Sequence, residues 1–216
     1  MRAAGFSAAA AVVLAAGASS RFGSQKLLAD LDGEPMLNRT IRALLDGGVG
    51  LVVVVLPSAE TPEKPRASPA PATAAIDVPL FADPRVRIAT NHDRSRGMFS
   101  SIQAGCAAAG DADPLLILPG DMPFVRAQTV TAVAAGAGRT GRIVSPRFGG
   151  KRGHPIALPR SLRNEILKSS VETSLHDLLE RHESERVYVD VDDPGVLRDV
   201  DVPEDLTGAP GRAHRS

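Results

Sequence analysis

One stretch near the start of the chain constrains the fold more than any other. Residues 8–15 are apolar without interruption, which is typical of a strand covered on both faces of a parallel sheet. The run breaks at Gly17, and the loop that follows carries Arg21, Gly23 and Lys26. Glycine lets a backbone approach a ligand closely, and the two cations can neutralise phosphate oxygens. The stretch therefore predicts a polyphosphate-binding loop at the end of a buried strand.

This loop differs from two well-known phosphate loops. A Walker A loop places Lys directly after its last Gly, whereas Ser24 and Gln25 separate Gly23 from Lys26 here. The dinucleotide fingerprint needs a further glycine inside the loop, which this chain lacks. The phosphate site predicted here therefore belongs to another class.

Charge and composition exclude several function classes. Lys plus Arg and Asp plus Glu number 25 each, so no broad basic face for nucleic acid is expected. No apolar run reaches the length of a membrane span, and Cys106 is the only cysteine. The Ala-rich start also resembles a secretory signal, but cleavage there would cut through the glycine-rich loop, so we favour the strand. We expect a cytoplasmic protein without membrane or nucleic-acid partners.

The rest of the chain alternates strand and helix patterns. Strands are predicted at 49–56, 86–90, 115–118, 142–145, 156–158, 187–191 and 197–200, and helices at 35–45, 98–109, 126–135 and 174–182. This alternation predicts an α/β fold, with a mostly parallel sheet and helices on both faces, in a single domain over residues 1–207. Outside its core we expect a Pro- and Ala-rich flexible insertion at 57–80 and a disordered tail at 208–216.

Acidic residues follow two predicted strands, at the edge where open α/β sheets bind ligands. Asp121 comes directly after Gly120 and the 115–118 strand, where it could hold Mg²⁺ or simply cap the next helix. Asp199 and Asp201 lie two residues apart at a predicted strand end, so their side chains should share one face. These residues are candidate metal ligands.

Two more polar segments are candidate binding sites. Asn91, Gly97, Ser100 and Ser101 surround a predicted helix start, where backbone N–H groups can bind a nucleotide, although simple N-capping explains such serines equally well. Residues 147–155 read R-F-G-G-K-R-G-H-P. Their cations could attract an anionic second substrate, while a string of this kind is also typical of a solvated turn.

Together these motifs resemble the MobA-like NTP transferase family. Residues 14–26 match its signature L-A-A-G-x-S-x-R-x-G-x-x-K, and the Gly120-Asp121 turn resembles its Mg²⁺-binding turn. Residues 199–206 resemble its D-x-D-x-P-E-D-L segment, which implies that Asp201 supplies the second metal carboxylate. Residues 97–102 are similar to its G-M-x-x-S-L segment near the nucleotide, and residues 152–155 to the R-G-H-P of cytidylyltransferase-like relatives. Residues 170–174 depart from the G-D-x-G-A segment of those relatives. This departure leaves the identity of the acceptor open, but not the nucleotide chemistry.

The resemblance implies a three-layer Rossmann-like nucleotidyltransferase fold and a Mg²⁺-dependent reaction. An NMP group would move from a nucleoside triphosphate to a phosphorylated acceptor, with release of pyrophosphate. The family implies molybdopterin as the acceptor, a cytidylyl or guanylyl group as the group transferred, and a molybdoenzyme apoprotein as a further partner. Between CTP and GTP, the L-A-A-G form of residues 14–17 favours CTP. Two alternatives stay open: another acceptor (a sugar phosphate, a methylerythritol phosphate or a phospholactate), or a non-catalytic nucleotide-binding chaperone for a cofactor.

The predicted site residues fall into four groups. The catalytic group is Arg21, Lys26 and Asp121; the metal ligands are Asp121 and Asp201; the acceptor group is Arg152 and His154; and the nucleotide group is Leu14, Ala15, Ala16, Gly17, Ser19, Arg21, Gly23, Lys26, Asn91, Gly97, Ser100, Ser101 and Gly120.

Overall fold

A computed structural model of the chain describes residues 6–15, 23–58, 78–93, 97–170 and 172–201. The strands in these ranges are β1 (Phe6–Leu14), β2 (Asp30–Leu31), β3 (Glu34–Pro35), β4 (Val49–Pro57), β5 (Val86–Asn91), β6 (Leu115–Pro119), β7 (Ile143–Phe148), β8 (Lys151–Arg152), β9 (Ile156–Leu158) and β10 (Arg186–Asp190). The helices are α1 (Met36–Asp46), α2 (Gly97–Ala108), α3 (Ala127–Thr140), α4 (Arg160–Lys168) and α5 (Leu175–Arg181).

One large sheet organises the fold. Its strand order is β10-β7-β9-β6-β1-β4-β5, with β8 paired to β7, while β2 and β3 form a separate ribbon. The strands β6, β1, β4 and β5 are parallel to one another, whereas β9 runs antiparallel between β6 and β7. The predicted α/β fold with a mostly parallel sheet is confirmed.

Strand β1 lies in the middle of the molecule and is covered on both faces. Ala11 and Val13 belong to the core that α1 and α3 cover, while Ala10 and Val12 belong to the core that α2, α4 and α5 cover. This alternation follows from the period of two residues in a strand. Small residues suit the position because α2 approaches closely, so that a Cβ atom on Gly105 would overlap Val12.

The helices begin and end largely where the sequence indicates. A capping box starts α5, because Ser174 Oγ accepts from the Asp177 N–H at 3.0 Å and an Asp177 carboxylate oxygen accepts from the Ser174 N–H at 3.1 Å. Helix α3 continues to Thr140, beyond the predicted end at residue 135, and stops at Gly141 with a left-handed φ of 63°. Helix α4 was not predicted. In the part of the chain described here, no helix is long and apolar enough to cross a membrane.

Two sequence predictions need correction. Residues 197–200 do not form a strand, because Pro194–Leu197 is a 3₁₀ helix that starts on the Asp193 side chain. The predicted insertion at 57–80 is too wide at both ends: Pro57 belongs to β4, Val78 is buried, and Pro79–Ala82 is a 3₁₀ helix. Its middle, residues 59–77, and the predicted tail at 208–216 lie outside the described residues.

Candidate functional site

The carboxyl ends of β1 and β6 meet at one edge of the sheet. Leu14 pairs with Pro119, and the Gly120 N–H donates to the Leu14 carbonyl oxygen at 3.0 Å. A Cβ atom at residue 120 would lie only 3.0 Å from that oxygen, which explains the glycine. From α1, the Thr40 hydroxyl donates to the Gly120 carbonyl at 3.1 Å. The turn that carries Asp121 is therefore fixed from two sides.

The segment that carries Asp201 is attached to the same turn. The Val200 N–H donates to the Asp121 carbonyl oxygen at 2.9 Å, and Val200 is buried. Before it, the Pro194–Leu197 3₁₀ helix packs so closely that a Cβ atom on Gly195 would overlap the Phe124 carbonyl. Two segments about eighty residues apart in sequence thus present their acids to one point: Asp121 follows β6, while Asp201 reaches it from a segment that is not a strand.

Lys26 lies between these acids. Its Nζ atom is 2.9 Å from Asp121 Oδ2 and 3.0 Å from Asp201 Oδ1, and only 8% of its side chain is exposed. The residue belongs to the 3₁₀ helix Gly23–Leu28, whose Leu27 and Leu28 pack against the core. Burial disfavours the ammonium, but hydrogen bonds to Asp121 and Asp201, together with their charges, outweigh burial and raise the pKa of Lys26. We name Lys26, Asp121 and Asp201 the Lys26 cluster.

Asp199 borders the Lys26 cluster without forming an ion pair to Lys26 there. Burial raises the pKa of Asp199, its own backbone N–H opposes this, and the charges of Asp201 and Asp121 raise it further. The Lys26 ammonium contacts Asp201 and Asp121 at 3.0 and 2.9 Å. These contacts favour Asp201 over Asp199 as the partner of Asp121.

The Lys26 cluster fits a hard divalent cation. Two carboxylate oxygens already converge on one positive charge, and Mg²⁺ prefers one or two carboxylates plus waters and substrate phosphates. Within the described ranges no group of three or more His, Cys, Asp or Glu side chains is arranged to hold a metal ion. The donor set thus suits a cation that shares its ligands with a substrate.

The predicted nucleotide contacts at the start of α2 form a network among themselves. The Asn91 side-chain amide donates to the hydroxyls of Ser100 and Ser101, at 2.8 Å each, and all three side chains are buried. The Ser100 hydroxyl in turn lies 2.7 Å from the Gly97 carbonyl and 2.9 Å from that of Asp93. In this arrangement the side chains of Asn91, Ser100 and Ser101 connect the end of β5 to the first turn of α2.

The two predicted acceptor residues have different surroundings. His154 is half-buried, and its backbone N–H donates to the Val196 carbonyl oxygen at 3.0 Å. Burial lowers the pKa of His154 to about 4, although the nearby negative charge of Asp121 opposes the shift. His154 is therefore a neutral hydrogen-bonding group at pH 7, close to the Lys26 cluster.

Arg152 belongs instead to a surface group around the tyrosine of β10. The guanidinium carbons of Arg147, Arg152 and Arg186 lie 5.5–5.6 Å from the centre of the Tyr188 ring. Acidic partners are present too: Arg147 pairs with Asp190 at 2.7 Å and Arg152 with Glu183 at 3.2 Å. We name these six residues the Tyr188 cluster.

The structure thus places only part of the predicted site. It brings together Lys26, Gly120, Asp121 and Asp201, with the ends of β1 at Leu14 and Ala15 beside them. Ala16, Gly17, Ser19 and Arg21 lie outside the described residues, and of Gly23 only the backbone is described, at the start of a 3₁₀ helix. Sequence reasoning missed Thr40, which fixes the Gly120 turn. A threonine inside a helix carries no pattern that could have singled it out.

Comparisons with known proteins match a family model and a related protein to this chain. The family model described as "MobA-like NTP transferase domain" matches residues 11–187. Nicotine blue oxidoreductase from Paenarthrobacter nicotinovorans is 32% identical over 163 residues, which cover 72% of this chain and 72% of that protein.

Solved structures show the same fold at lower identity. Rv0371c from Mycobacterium tuberculosis H37Rv, in a complex with manganese, is 22% identical with a TM-score of 0.66, covering 91% of this chain and 94% of its own. CMP:2-keto-3-deoxy-manno-octonic acid synthetase, in a complex with CTP, is 16% identical with a TM-score of 0.63. The match covers 92% of this chain and 95% of the synthetase chain. At these identities the likeness concerns the fold.

Proposed function

We propose the function of this chain from one premise, which is that it belongs to the MobA-like NTP transferase family. It is thus a member of a nucleotidyltransferase family. Our proposal is that it transfers CMP from CTP to a phosphorylated acceptor, with molybdopterin as the acceptor of choice, and releases pyrophosphate. The observation that carries the proposal is the convergence of Asp121 and Asp201 on Lys26 at the joint end of β1 and β6.

Asp121 and Asp201 would hold the divalent cation, which supplies positive charge to the phosphates of the bound nucleotide. Magnesium is our choice because the donor set is carboxylate oxygen, and a manganese complex of the fold neighbour Rv0371c is consistent with a divalent cation here.

In the transfer itself, an oxygen of the acceptor phosphate forms a bond to the α-phosphorus of CTP. The bond from the α-phosphorus to the bridging oxygen breaks, and pyrophosphate leaves with the electron pair. Phosphoryl-type transfer depends mainly on positioning and electrostatic stabilisation. Lys26, together with Arg21 in our proposal, would neutralise the charge on the departing pyrophosphate, while Gly120 leaves room at the strand end.

An acceptor phosphate is already anionic at neutral pH, so no side chain has to remove a proton from it. This agrees with His154, whose lowered pKa of about 4 makes it a weak base. We propose that His154 orients the acceptor by a hydrogen bond and that Arg152, at the exposed edge, contributes positive charge. A molybdoenzyme apoprotein would then receive the product.

The test is a measurement of pyrophosphate release. The full chain would be mixed with each of the four NTPs and with molybdopterin, a sugar phosphate, a methylerythritol phosphate or a phospholactate, with Mg²⁺ and then with excess chelator. We expect release with CTP and molybdopterin, and loss of release with chelator. Release only with another acceptor would correct the substrate, and tight CTP binding without any release would favour a cofactor chaperone instead.

One comparison favours a second candidate. The relative from Paenarthrobacter nicotinovorans is named an oxidoreductase, and it covers 72% of this chain. If this chain acted as a reductase, it would consume NADH or NADPH in the presence of an organic dye. Oxidation of the nicotinamide cofactor without any pyrophosphate release would establish a reductase activity for this chain.

A further inference from the structure

Lys26 contacts the two oxygens that the proposed divalent cation would use. Its Nζ lies 2.9 Å from Asp121 Oδ2 and 3.0 Å from Asp201 Oδ1, and the acids stand 95 and 175 positions away from it in sequence. Only 8% of the Lys26 side chain is exposed, while Asp121 is 28% and Asp201 54% exposed, so water screens the pair with Asp121 less than the pair with Asp201. In this structure the Lys26 ammonium therefore takes the position between Asp121 and Asp201 that the proposed metal ion would occupy.

An ammonium and a divalent cation cannot share this position. Carboxylate oxygens bind Mg²⁺ at roughly 2.0–2.1 Å, so a metal between Asp121 and Asp201 would lie within a few ångströms of the Lys26 nitrogen. At that separation two positive charges repel strongly in a partly buried site. The lysine stem is flexible, with three rotatable donors on its end, whereas Leu27 and Leu28 anchor the backbone beside it.

We propose that Lys26 is an internal counter-cation that competes with the divalent metal for Asp121 and Asp201, and that metal entry releases its ammonium toward the triphosphate. The inference rests on the proposed function for the destination of the ammonium. One side chain then serves two states: it holds two mutually repelling acids together before substrate arrives, and afterwards it neutralises phosphate charge. A consequence is that the metal binds weakly by itself and more tightly together with the nucleotide, whose phosphates attract the displaced ammonium.

The first measurement uses Mn²⁺ alone, titrated into the full chain and followed by electron paramagnetic resonance. We compare wild type with Lys26→Met, which keeps the length of the side chain without its charge, and with Lys168→Met, the same change at an exposed position of α4. We expect Lys26→Met to bind Mn²⁺ at least about tenfold more tightly than wild type, and Lys168→Met to match wild type. Equal affinities for wild type and Lys26→Met, or no binding by either, would overturn the proposal.

A second measurement separates displacement from a simple change of charge and needs no variant. Lysines of the wild-type chain are labelled by a brief pulse of an acetylating reagent, with and without saturating Mn²⁺, and quantified by mass spectrometry. Lys26 should label slowly at first and about tenfold faster with Mn²⁺, while the exposed Lys151 and Lys168 keep their rates. Continued protection of Lys26 at full Mn²⁺ occupancy would refute displacement.

These two measurements use neither nucleotide nor acceptor. A failure of the pyrophosphate assay with successful displacement by Mn²⁺ would therefore contradict the proposed function but leave the metal–lysine exchange standing. A third sample, with Mn²⁺ and a non-hydrolysable CTP analogue, tests the destination: renewed protection of Lys26 supports movement onto the triphosphate, and unchanged fast labelling argues against it.

Discussion

The Lys26 cluster and the Tyr188 cluster both pair acids with cations, yet they differ in almost every physical respect. In the first, one cation faces two acids, the cation is 8% exposed, and the partners come from distant parts of the chain. In the second, three arginines surround one tyrosine with two acids, and the Arg147–Asp190 pair is 40% and 72% exposed. Most partners in the second cluster come from the neighbouring strands β7, β8 and β10.

The difference teaches that an ion pair must be judged by its surroundings. An exposed pair is screened by water and ions, so it contributes little to stability. In the Lys26 cluster an almost fully buried ammonium is shared by two acids, of which Asp121 is 28% and Asp201 54% exposed. Removing one of these acids changes the electrostatic surroundings of a buried charge, whereas breaking the exposed Arg147–Asp190 pair leaves both partners in contact with water. Four predictions test this contrast.

The largest effect is expected from an Asp→Asn change in the Lys26 cluster, compared with the same change in the Tyr188 cluster. Asp121→Asn should lower pyrophosphate release by at least about a thousandfold, because a neutral amide holds Mg²⁺ less firmly. The matched variant Asp190→Asn should keep near wild-type turnover. Circular dichroism should show an unchanged fold in both. Ordinary turnover in Asp121→Asn at normal Mg²⁺ would remove this residue from the metal site.

The next effect concerns Lys26. Lys26→Ala should lower turnover by about a hundred- to a thousandfold, since an electrostatic donor to the transition state is lost, while CTP affinity should fall much less. Lys26→Arg should restore only part of the rate, and Lys168→Ala should change nothing. Steady-state kinetics together with equilibrium nucleotide binding provide the readout. If binding and turnover fell in the same proportion, Lys26 would have no special role in the transition state.

A smaller effect is expected from His154, through pH. Its pKa is lowered to about 4 in the folded chain, chiefly by burial, so the unfolded chain binds more protons between that pH and about 6.5. Stability should therefore fall as pH drops through this window, by roughly 1–3 kcal/mol from this residue. Urea unfolding of wild type and His154→Asn across pH 4–7 measures it, and the variant should lose less stability toward acid. If the unfolding free energies of the two proteins fell in parallel toward acid pH, the lowered pKa of His154 would be contradicted.

The smallest effect is expected in the Tyr188 cluster. Removing the Arg147–Asp190 pair by Arg147→Met, by Asp190→Asn or by both should shift the thermal midpoint by no more than about 2 °C, with nearly additive changes. Calorimetry at low and high salt measures this coupling. A large, salt-resistant coupling would show that exposure alone does not separate the two clusters.

The sequence predicted the parts of the site that depend on local pattern. The apolar run at 8–15 and the run before Gly120 each indicate a buried strand, and both strands exist with their ends side by side. The position of Asp121 at the sheet edge follows from this, because the residue comes directly after the β6 strand and its glycine. The start of α5 was predicted for the same reason, since Ser174 and Asp177, which form its capping box, are only three residues apart.

What sequence could not provide are contacts set by tertiary packing. Lys26 was expected over a triphosphate, yet in this structure its ammonium contacts Asp121 and Asp201, which no local pattern indicates. Val200 was expected in a strand, but its N–H bonds the Asp121 carbonyl across the molecule. The antiparallel position of β9 between β6 and β7 could not be predicted either, because short apolar runs indicate strands but not their order in the sheet.

The bond from the Val200 N–H to the Asp121 carbonyl has a consequence for synthesis of the chain. Translation proceeds from the amino terminus, so Lys26 and Asp121 leave the ribosome before Asp201. A nascent polypeptide that ends before residue 200 can form the strands that carry Leu14 and Asp121, but it lacks one of the two acids that face Lys26. The proposed metal site therefore becomes complete only after residue 201 has been synthesised, well after the strands that support it.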